Sequence, residues 1–205
     1  SSTKLQSVTD IDGNVYRTVE IGTQHWMAEN LKVTKYRDGN NIENITNDTF
    51  WSNDTSGGYA DYNNDATTYL DSYGRLYNWY AVDNSSSRYI CPEGWHVPTA
   101  DEYDVLSTYL GGNLVAGGKI KEPGTDHWNS PNVTGADNET SGFNARGAGY
   151  RLNNGSYGFL KRTFVFWTVS YASNAYYRAG SSSNGTLTVN SINKKYGFSV
   201  RCLED

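Results

Sequence analysis

The segment CPEGWHVPTADEYDVL, residues 91–106, places the strongest single constraint on how this chain folds. Thr99 and Glu102 have the spacing of a capping box, in which each side chain accepts a hydrogen bond from the backbone N–H of the other residue. Apolar residues follow at three- and four-residue spacing, which is typical of a helix with one buried face. Gly111 and Gly112 are typical of a helix end. The sequence therefore predicts a capped, amphipathic helix that begins immediately after Thr99.

Cys91 and His96 precede this helix, and they fit either a catalytic thiol–imidazole pair or a structural corner. A catalytic pair also needs an orienting group and an oxyanion site, and no nearby residues supply both. The residues therefore favour the structural corner. The second cysteine, Cys202, is compatible with one disulfide in an oxidising compartment, and two reduced buried thiols fit the sequence equally well.

Short strands and long loops are predicted for the rest of the chain. The run VTDIDGNVYRTVE predicts two strands joined by a turn, WMAENL predicts one helical turn, and YGRLYNWYAVD (73–83) predicts a helix. Residues 35–72 and 124–154 are rich in turn formers and predict long loops, which in compact domains are usually functional or ion-stabilised. The aromatic and β-branched runs near the C-terminal end predict a small antiparallel sheet. We expect one domain over residues 1–205.

Charge and hydropathy argue against two classes of function. The formal net charge is -5, and no run of Lys or Arg is longer than Lys194-Lys195. A nucleic-acid-binding protein needs a basic stripe, so we expect no nucleic-acid partner. No apolar run approaches the roughly 20 residues of a membrane span, so we expect no membrane insertion.

Two oxygen-rich stretches are candidates for a calcium site. Calcium takes six to eight oxygen ligands from carboxylates, amides and carbonyls. YADYNNDATTYLD and GADNETSGF both cluster such groups, although neither has the spacing of an EF-hand loop. The alternative is that these residues form turns and bond to their own backbone. The candidate metal ligands are Asp61, Asn64, Asp65, Asp137, Asn138 and Glu139.

The three histidines each stand next to a tryptophan, at His25, His96 and His127. No HExxH or H-x-H spacing is present, so a zinc site is not expected. We expect these imidazoles to bond to loop carbonyls.

Aromatic residues of the C-terminal half are candidates for ligand contact. Tyr and Trp stack on sugars and bury peptide side chains with little loss of conformational entropy. Arginines could pair with a ligand carboxylate, and ordinary salt bridges are the alternative role. The candidate ligand-binding residues are Trp128, Tyr150, Arg151, Tyr157, Tyr171, Tyr176, Tyr177 and Arg178.

Several landmarks in order make the chain resemble a known family. They are DIDGNVYRTVEIGTQHWMAENLK, NNDATTYLDSYGRLYNWYAV, CPEGWHVPTADEYDVL, NETSGF, FWTVS and GFSVRCLED. From about residue 8 to the end, the chain resembles the Fibrobacter succinogenes major paralogous domain. The resemblance implies a secreted or surface-displayed bacterial module. It also implies that Cys91, before the helix, and Cys202, in the last strand, form a structural disulfide.

The order WTVS, AYY, GFSVRC is also similar to the C-type-lectin-like fold. That likeness implies an α+β fold with a small twisted antiparallel sheet, two main helices and long loops that carry the site. We expect a non-catalytic recognition module of an extracellular bacterial adhesin or secreted protein. Its ligand would be a peptide or protein held in a loop-built, calcium-assisted pocket. The alternative is a carbohydrate-binding module that stacks sugars on Trp and Tyr. Either ligand would lie on another cell, and the module would be a monomeric part of a larger protein.

Overall fold

Strands from both ends of the chain meet in one sheet. A computed structural model describes residues 6–85, 87–134 and 140–205, and it shows an α+β fold. The five-stranded sheet has the order β1-β2-β3-β13-β7. Its strands are β1 (Ser7–Thr9), β2 (Val15–Ile21), β3 (Gln24–Met27), β7 (Trp95–His96) and β13 (Leu203–Glu204). The predicted hairpin at β1 and β2 is confirmed.

A second antiparallel sheet, β10-β11-β12, lies in the C-terminal part of the chain, as predicted. Its strands are β10 (Thr163–Tyr171), β11 (Ala175–Ser181) and β12 (Thr188–Ile192). Two smaller sheets complete the fold, with the strands β4 (Glu43–Asn44), β5 (Gly58–Ala60), β6 (Leu76–Tyr77), β8 (Ala148–Arg151) and β9 (Tyr157–Leu160).

The helices are short, and the longest is the one that the capping box predicts. They are α1 (Asp48–Asn53), α2 (Ala66–Tyr73), α3 (Trp79–Val82), α4 (Ala100–Tyr109) and α5 (Asn113–Ile120), with a 3-10 turn at Tyr62–Asn64. At the start of α4 the Thr99 hydroxyl accepts from the Glu102 backbone N–H at 3.2 Å. The Glu102 carboxylate accepts from the Thr99 backbone N–H at 2.7 Å. The predicted capping box is therefore confirmed.

Two local predictions are wrong. WMAENL is not helical, because its first two residues complete β3 and pair with β2 and β13. The predicted helix 73–83 is divided into strand β6 and the single turn α3. The division follows from Gly74, which ends α2 at a φ of +69° and packs so closely that a Cβ would lie 2.7 Å from the Asn30 Cβ. The side chain of Asn78 then caps α3 by accepting from the Ala81 backbone N–H.

Aromatic rings fill much of the core, and their polar edges bond to main-chain carbonyls. The indole N–H of Trp167 donates to the Tyr77 carbonyl at 2.7 Å, and that of Trp79 donates to the Thr168 carbonyl at 3.0 Å. Both rings are fully buried. Because a buried indole N–H needs an acceptor, each ring is held in one orientation as well as packed.

The buried guanidinium of Arg201 also connects distant segments of the chain by hydrogen bonds. Its guanidinium donates to the Asn30 side chain at 2.6 Å and to the carbonyls of Met27 and Asn144 at 3.1 and 3.0 Å. Burial lowers the pKa of this group to about 9. The guanidinium thus holds β3 and the segment around residue 144 to the segment that precedes β13.

A disulfide joins Cys91 to Cys202, with 5.9 Å between the Cα atoms. It links the segment before α4 to the residue before β13, and both sulfurs lie in the core. Within residues 6–85, 87–134 and 140–205, no helix has the length and apolarity needed to cross a membrane.

We expect loss of the disulfide to lower the free energy of unfolding by about 4 to 5 kcal/mol, because the bond closes a loop of 111 residues in the unfolded chain. The measurement is urea denaturation of the Cys91→Ala, Cys202→Ala double variant against the oxidised protein. An unchanged denaturation midpoint in the double variant would contradict the role of this bond.

The buried side chain of Lys121 is expected to make the free energy of unfolding depend on pH. Its buried ammonium donates to the carbonyls of Ser181 and Asn184 at 2.8 and 3.0 Å, and burial lowers its pKa to about 8. Between about pH 8 and pH 10.5 the unfolded chain keeps this proton while the folded chain releases it, so the free energy of unfolding rises with pH.

We expect this rise to be about 2 kcal/mol larger in the native protein than in Lys121→Met, which has no titrating group at this position. Denaturation curves of both proteins from pH 7 to pH 10 measure it. Parallel pH profiles would show that Lys121 titrates alike in the folded and unfolded chains.

Candidate functional site

Four aromatic side chains lie together on the surface formed by β8, β9, β11 and the segment before the last strand. We call this surface, made of Tyr150, Phe159, Tyr177 and Tyr196, the aromatic face. Phe159 is 47% exposed, and the three tyrosines are half-buried. The buried ring of Phe198 lies beneath them and supports three of the four.

The rings form a continuous row. Tyr150 and Phe159 are stacked nearly parallel, with centroids 4.9 Å apart and an angle of 10° between their planes. Tyr150 lies 6.3 Å from Tyr196, and Tyr177 lies 5.3 Å from Phe198. Since each ring touches its neighbour or the shared ring below, the row is a preformed apolar surface.

Phe159 is the most informative residue of the face. Its φ is +64°, in the left-handed region that glycine and asparagine adopt most easily. A bulky side chain there costs about 1 kcal/mol of backbone strain, and half of this ring is in water. Neither local propensity nor burial explains an exposed phenylalanine in this conformation. Residues that depart from local rules in this way are more frequent at functional sites than elsewhere.

The tyrosine hydroxyls of the face add polar groups to the apolar row. Burial raises the pKa of Tyr150, and the nearby phenols of Tyr196 and Tyr177 raise it further. Burial and Tyr196 also raise the pKa of Tyr177. Both phenols therefore stay neutral at physiological pH, and each hydroxyl is both a hydrogen-bond donor and an acceptor.

Basic residues flank the aromatic face, and acidic residues are absent from this part of the sequence. Between positions 140 and 203 the chain has no Asp or Glu, although its net charge is -5. The same stretch has eight basic residues: Arg146, Arg151, Lys161, Arg162, Arg178, Lys194, Lys195 and Arg201.

Four of these eight basic residues form ion pairs or hydrogen bonds within the protein. Arg146, Arg151 and Arg178 pair with Glu122, Asp48 and Asp104, and Arg201 bonds to carbonyls and an amide. The other four have no carboxylate partner among the residues that the structure describes. Lys161 and Arg162 follow β9, and Lys194 and Lys195 lie between β12 and Tyr196, so these basic residues adjoin segments of the face in the sequence.

Two of the predicted ligand-binding residues, Tyr150 and Tyr177, lie in the aromatic face. Tyr171 is 53% exposed and packs edge-on against Trp79, with ring centroids 4.7 Å apart. The ammonium of Lys194 lies 4.1 Å from the Tyr171 ring centroid and 4.2 Å from that of Trp79. This group lies beside the face, because Lys194 and Tyr196 share one turn.

Tyr157 and Tyr176 do not belong to the aromatic face. The Tyr157 hydroxyl donates to the Asn64 side chain at 2.8 Å, and its ring packs on Tyr62 and Arg151. Tyr176 lies on β11, where side chains alternate, so it points to the side of the sheet opposite Tyr177.

Three predicted ligand-binding residues are corrected, because they are buried. Trp128 packs on Phe164 and donates its indole N–H to the Ala145 carbonyl at 3.1 Å. Arg151 and Arg178 have nearly all of their surface covered, and each forms hydrogen bonds to a carboxylate and to carbonyls. The guanidinium groups of both arginines therefore bond within the protein and are not exposed to a ligand.

The first group of predicted calcium ligands contacts other residues of the same chain. Asp61 is buried, and its carboxylate lies 3.3 Å from the Arg75 guanidinium. The Asn64 amide donates to the Thr46 carbonyl at 3.1 Å, and Asp65 accepts from a backbone N–H of α2 as its N-cap. The second group, Asp137, Asn138 and Glu139, lies outside the described residues.

Calcium remains a prediction on these data. Among the residues that the structure describes, no three His, Cys, Asp or Glu side chains are arranged to hold a metal ion. The loop around residue 61 is instead stabilised by its own ion pair, cap and hydrogen bonds. Of Asp61, Asn64 and Asp65, only Asp65 bonds through its side chain to the backbone of its own turn, as the N-cap of α2.

The histidines bond to carboxylates rather than to the loop carbonyls that we expected. His96 lies between Asp205 and Glu102, at 2.7 and 2.8 Å, and His127 Nδ1 lies 2.6 Å from Glu122. Each of these histidines thus links its segment to another through a hydrogen bond to a carboxylate.

A hydroxyl, an imidazole and a carboxylate are aligned at His25. Its Nε2 lies 2.9 Å from the Thr18 hydroxyl, and its Nδ1 lies 2.6 Å from Glu204. The order matches that of a hydrolase triad. However, Glu20 and Glu204 both line the adjacent cavity of about 450 Å³. A developing oxyanion would meet carboxylates there, so the arrangement is better suited to linking β2, β3 and β13.

Sequence reasoning missed Phe159, Tyr196 and the basic residues beside them. Two signals could have indicated the basic residues and Tyr196. One is the absence of acidic residues over positions 140–203 in an acidic chain. The other is the spacing of Tyr196 and Phe198, which places two rings next to the last strand.

We expect Phe159→Gly to change the free energy of unfolding by less than about 1 kcal/mol. Loss of the half-exposed ring and its stack is offset by relief of the left-handed strain. Phe198→Ala is the contrast, with an expected loss of about 3 to 5 kcal/mol from a buried ring. Chemical denaturation measures both. A loss above about 3 kcal/mol in Phe159→Gly would show that this ring serves stability.

Comparison with known proteins gives one match. The family model of the Fibrobacter succinogenes major domain matches residues 19–204. No curated protein and no solved structure matches the chain. Because the family model covers nearly all of the chain, this protein belongs to the Fibrobacter succinogenes major domain family.

Proposed function

We propose that this chain is a recognition module, rather than an enzyme, of a bacterial surface or secreted protein, and that it binds its ligand on the aromatic face. The observation that carries the proposal is Phe159, an exposed ring kept in a strained backbone conformation and stacked on Tyr150. Rigid rings with polar tips bind ligands with little loss of side-chain entropy.

The ligand that fits best is a peptide or a segment of a protein. Apolar side chains would pack on the row of rings, and acidic groups would meet the four basic residues beside it. Charge complementarity of this kind increases association rates and selects partners. The sequence expectation of a peptide ligand is therefore kept, with the site moved from a loop-built pocket to the aromatic face.

A glycan is the second candidate, and the Tyr150–Phe159 pair is the observation that favours it. Two rings at 10° to each other present a flat apolar surface. Sugar rings stack on such surfaces, and hydroxyls such as those of Tyr177 and Tyr196 can bond to sugar hydroxyls.

An extracellular location and the C-type-lectin-like fold are part of the same proposal. The disulfide supports an oxidising compartment, because structural disulfides persist mainly outside the cytosol. Small antiparallel sheets, α4 and α5 and the long loops support the fold. A calcium ion that aids binding is also proposed, and removal of the ion with EDTA tests it separately.

The test is binding of the native protein to a peptide array and to a glycan array, each with and without EDTA. We expect binding to one array and at least a tenfold loss of affinity in Phe159→Gly, because the ring contacts the ligand directly. Tyr109→Ala is the matched control, since Tyr109 is 66% exposed at the end of α4, away from the face.

Each result has a clear meaning. Equal binding by Phe159→Gly and the native protein would refute the aromatic face as the site. Binding only to the glycan array would replace the peptide with a sugar ligand. Affinity and melting temperature that do not change in EDTA would remove calcium from the proposal.

A further inference from the structure

β12 is an open strand edge next to the aromatic face. It is the outer strand of the β10-β11-β12 sheet, and Thr188, Val189 and Asn190 are exposed. The strand TVNSI contains no proline and no charged residue. Natural sheets usually protect an exposed edge with a charge, a proline or a bulge, because an unprotected edge pairs with other strands.

The hydrogen bonds of β10 show which groups of β12 point outward. The backbone N–H of Trp167 donates to the carbonyl of Ser199 at 3.2 Å, and the backbone N–H of Ser199 donates to the carbonyl of Val165 at 3.1 Å. Trp167 and Val165 therefore direct their backbone groups away from β11. In an antiparallel pair, two opposite residues either both point their backbone groups at each other or both point them away. Tyr177 lies opposite Trp167, so its backbone N–H and C=O point away from β10 and toward β12, where they bond to Asn190. The backbone groups of Val189 and Ser191 therefore face outward.

These outward groups are available for pairing. Within the described part of the chain, the N–H and C=O of Val189 and the C=O of Ser191 have no hydrogen-bond partner. The N–H of Ser191 donates to the side chain of Asn190 at 2.8 Å, a local bond that an incoming carbonyl can replace. Two donors and two acceptors thus line the edge at the spacing of an extended strand, about 7 Å for alternate residues.

The edge and the aromatic face are parts of one surface. Asn190 is the cross-strand partner of Tyr177, so both side chains lie on the same side of the sheet. A strand added beside β12 would direct every second side chain to that side. Lys194 and Lys195 follow β12 directly, and no acidic residue occurs between positions 140 and 203.

We propose that β12 is a strand-addition site for an extended, acidic segment of a partner protein. The backbone of that segment pairs with Val189 and Ser191, and its alternate side chains lie toward Tyr177 and the aromatic face. The inference rests on the proposed function and specifies its ligand. An added strand gains affinity from main-chain hydrogen bonds and specificity from alternate side chains.

Charge and chemistry favour this occupant over two others. A second copy of the chain would bring its own Lys194 and Lys195 to a surface that is already basic. An anionic polysaccharide would match the charge, but it has no regular array of N–H and C=O groups to pair with the edge. An acidic peptide strand meets both requirements.

The probes are synthetic 12-residue peptides in which Glu alternates with Thr, Val and Tyr, and a matched set with Lys in place of Glu. We expect the Glu set to bind and the Lys set to bind at least tenfold more weakly. Ser191→Pro removes one outward N–H, which an edge strand tolerates, and should weaken binding of the Glu set about tenfold or more. Ser191→Ala keeps that N–H and should bind like the native protein.

Two measurements keep the test valid if Ser191→Pro does not fold. Peptides with N-methyl groups at alternate positions cannot form a ladder, and they should lose binding to the native protein. Amide hydrogen exchange should slow at Val189 and Ser191 when the unmodified peptide binds.

The outcomes separate this inference from the proposed function. If Phe159→Gly loses the peptide while Ser191→Pro and the N-methylated peptides bind normally, the aromatic face stands and strand addition is overturned. If polygalacturonate binds and the Glu peptides do not, the occupant is an anionic glycan and the inference fails. A dimer that forms with concentration and disappears in Ser191→Pro would show self-pairing instead, which also overturns it.

Discussion

The segment of residues 197–204 makes the long-range contacts on which the rest of the structure depends. Phe198 exchanges backbone hydrogen bonds with Tyr77, and Gly197 exchanges them with Arg151. Leu203 lies between Trp26 and His96 in the five-stranded sheet. The same eight residues include Cys202 of the disulfide and the buried guanidinium of Arg201. Ser199 also bonds to Val165 and Trp167 of β10. Within the described residues, each of the four sheets is therefore bonded to this one segment.

This arrangement explains how exposed aromatic rings can be held in place in a chain with few aliphatic residues. Phe198 is fixed by its backbone bonds and by Trp167, whose ring centroid is 4.2 Å away. Its outer side carries Tyr150, Tyr177 and Tyr196. Because Phe198 packs on Trp167 from one side and on these rings from the other, the exposed rings are held in place. Preorganisation of this kind would reduce the entropy lost if the proposed ligand binds. Three of the four rings of the aromatic face are thus supported by one buried side chain.

Local signals in the sequence predicted the parts of the fold that depend on neighbouring residues. The hairpin at β1 and β2 follows from a turn whose Asp10 carboxylate accepts from two backbone N–H groups within four residues. The start of α4 follows from Thr99 and Glu102. Helix α5 was missed because it contains two consecutive glycines, and Gly117 is needed there since a Cβ would lie 2.3 Å from the Thr186 carbonyl. That requirement comes from a distant residue and leaves no local pattern.

The candidate site was predictable only in part, for the same reason. Tyr150 and Tyr177 were expected because tyrosines in loop-rich regions often contact ligands. Arg151 and Trp128 have the same residue types but are buried, and no local pattern distinguishes a covered ring or guanidinium from an open one. Phe159 gave no signal, because a left-handed backbone is not a conformation that phenylalanine prefers, and no sequence pattern predicts it there. The sequence patterns therefore predicted which side chains have groups suited to binding, whereas tertiary packing determines which of those side chains are exposed.

The position of this segment also has a consequence for how the chain matures. A polypeptide that leaves the ribosome or crosses a membrane from its N-terminus presents residues 1–196 before the stretch that unites them. Until residues 197–204 arrive, β3 and β7 lack the strand between them, Cys91 has no partner, and the floor of the ring cluster is absent. Folding that relies on such distant contacts is slow compared with folding by neighbouring contacts. The domain therefore cannot complete its sheets or its disulfide until residues 197–204 have been synthesised.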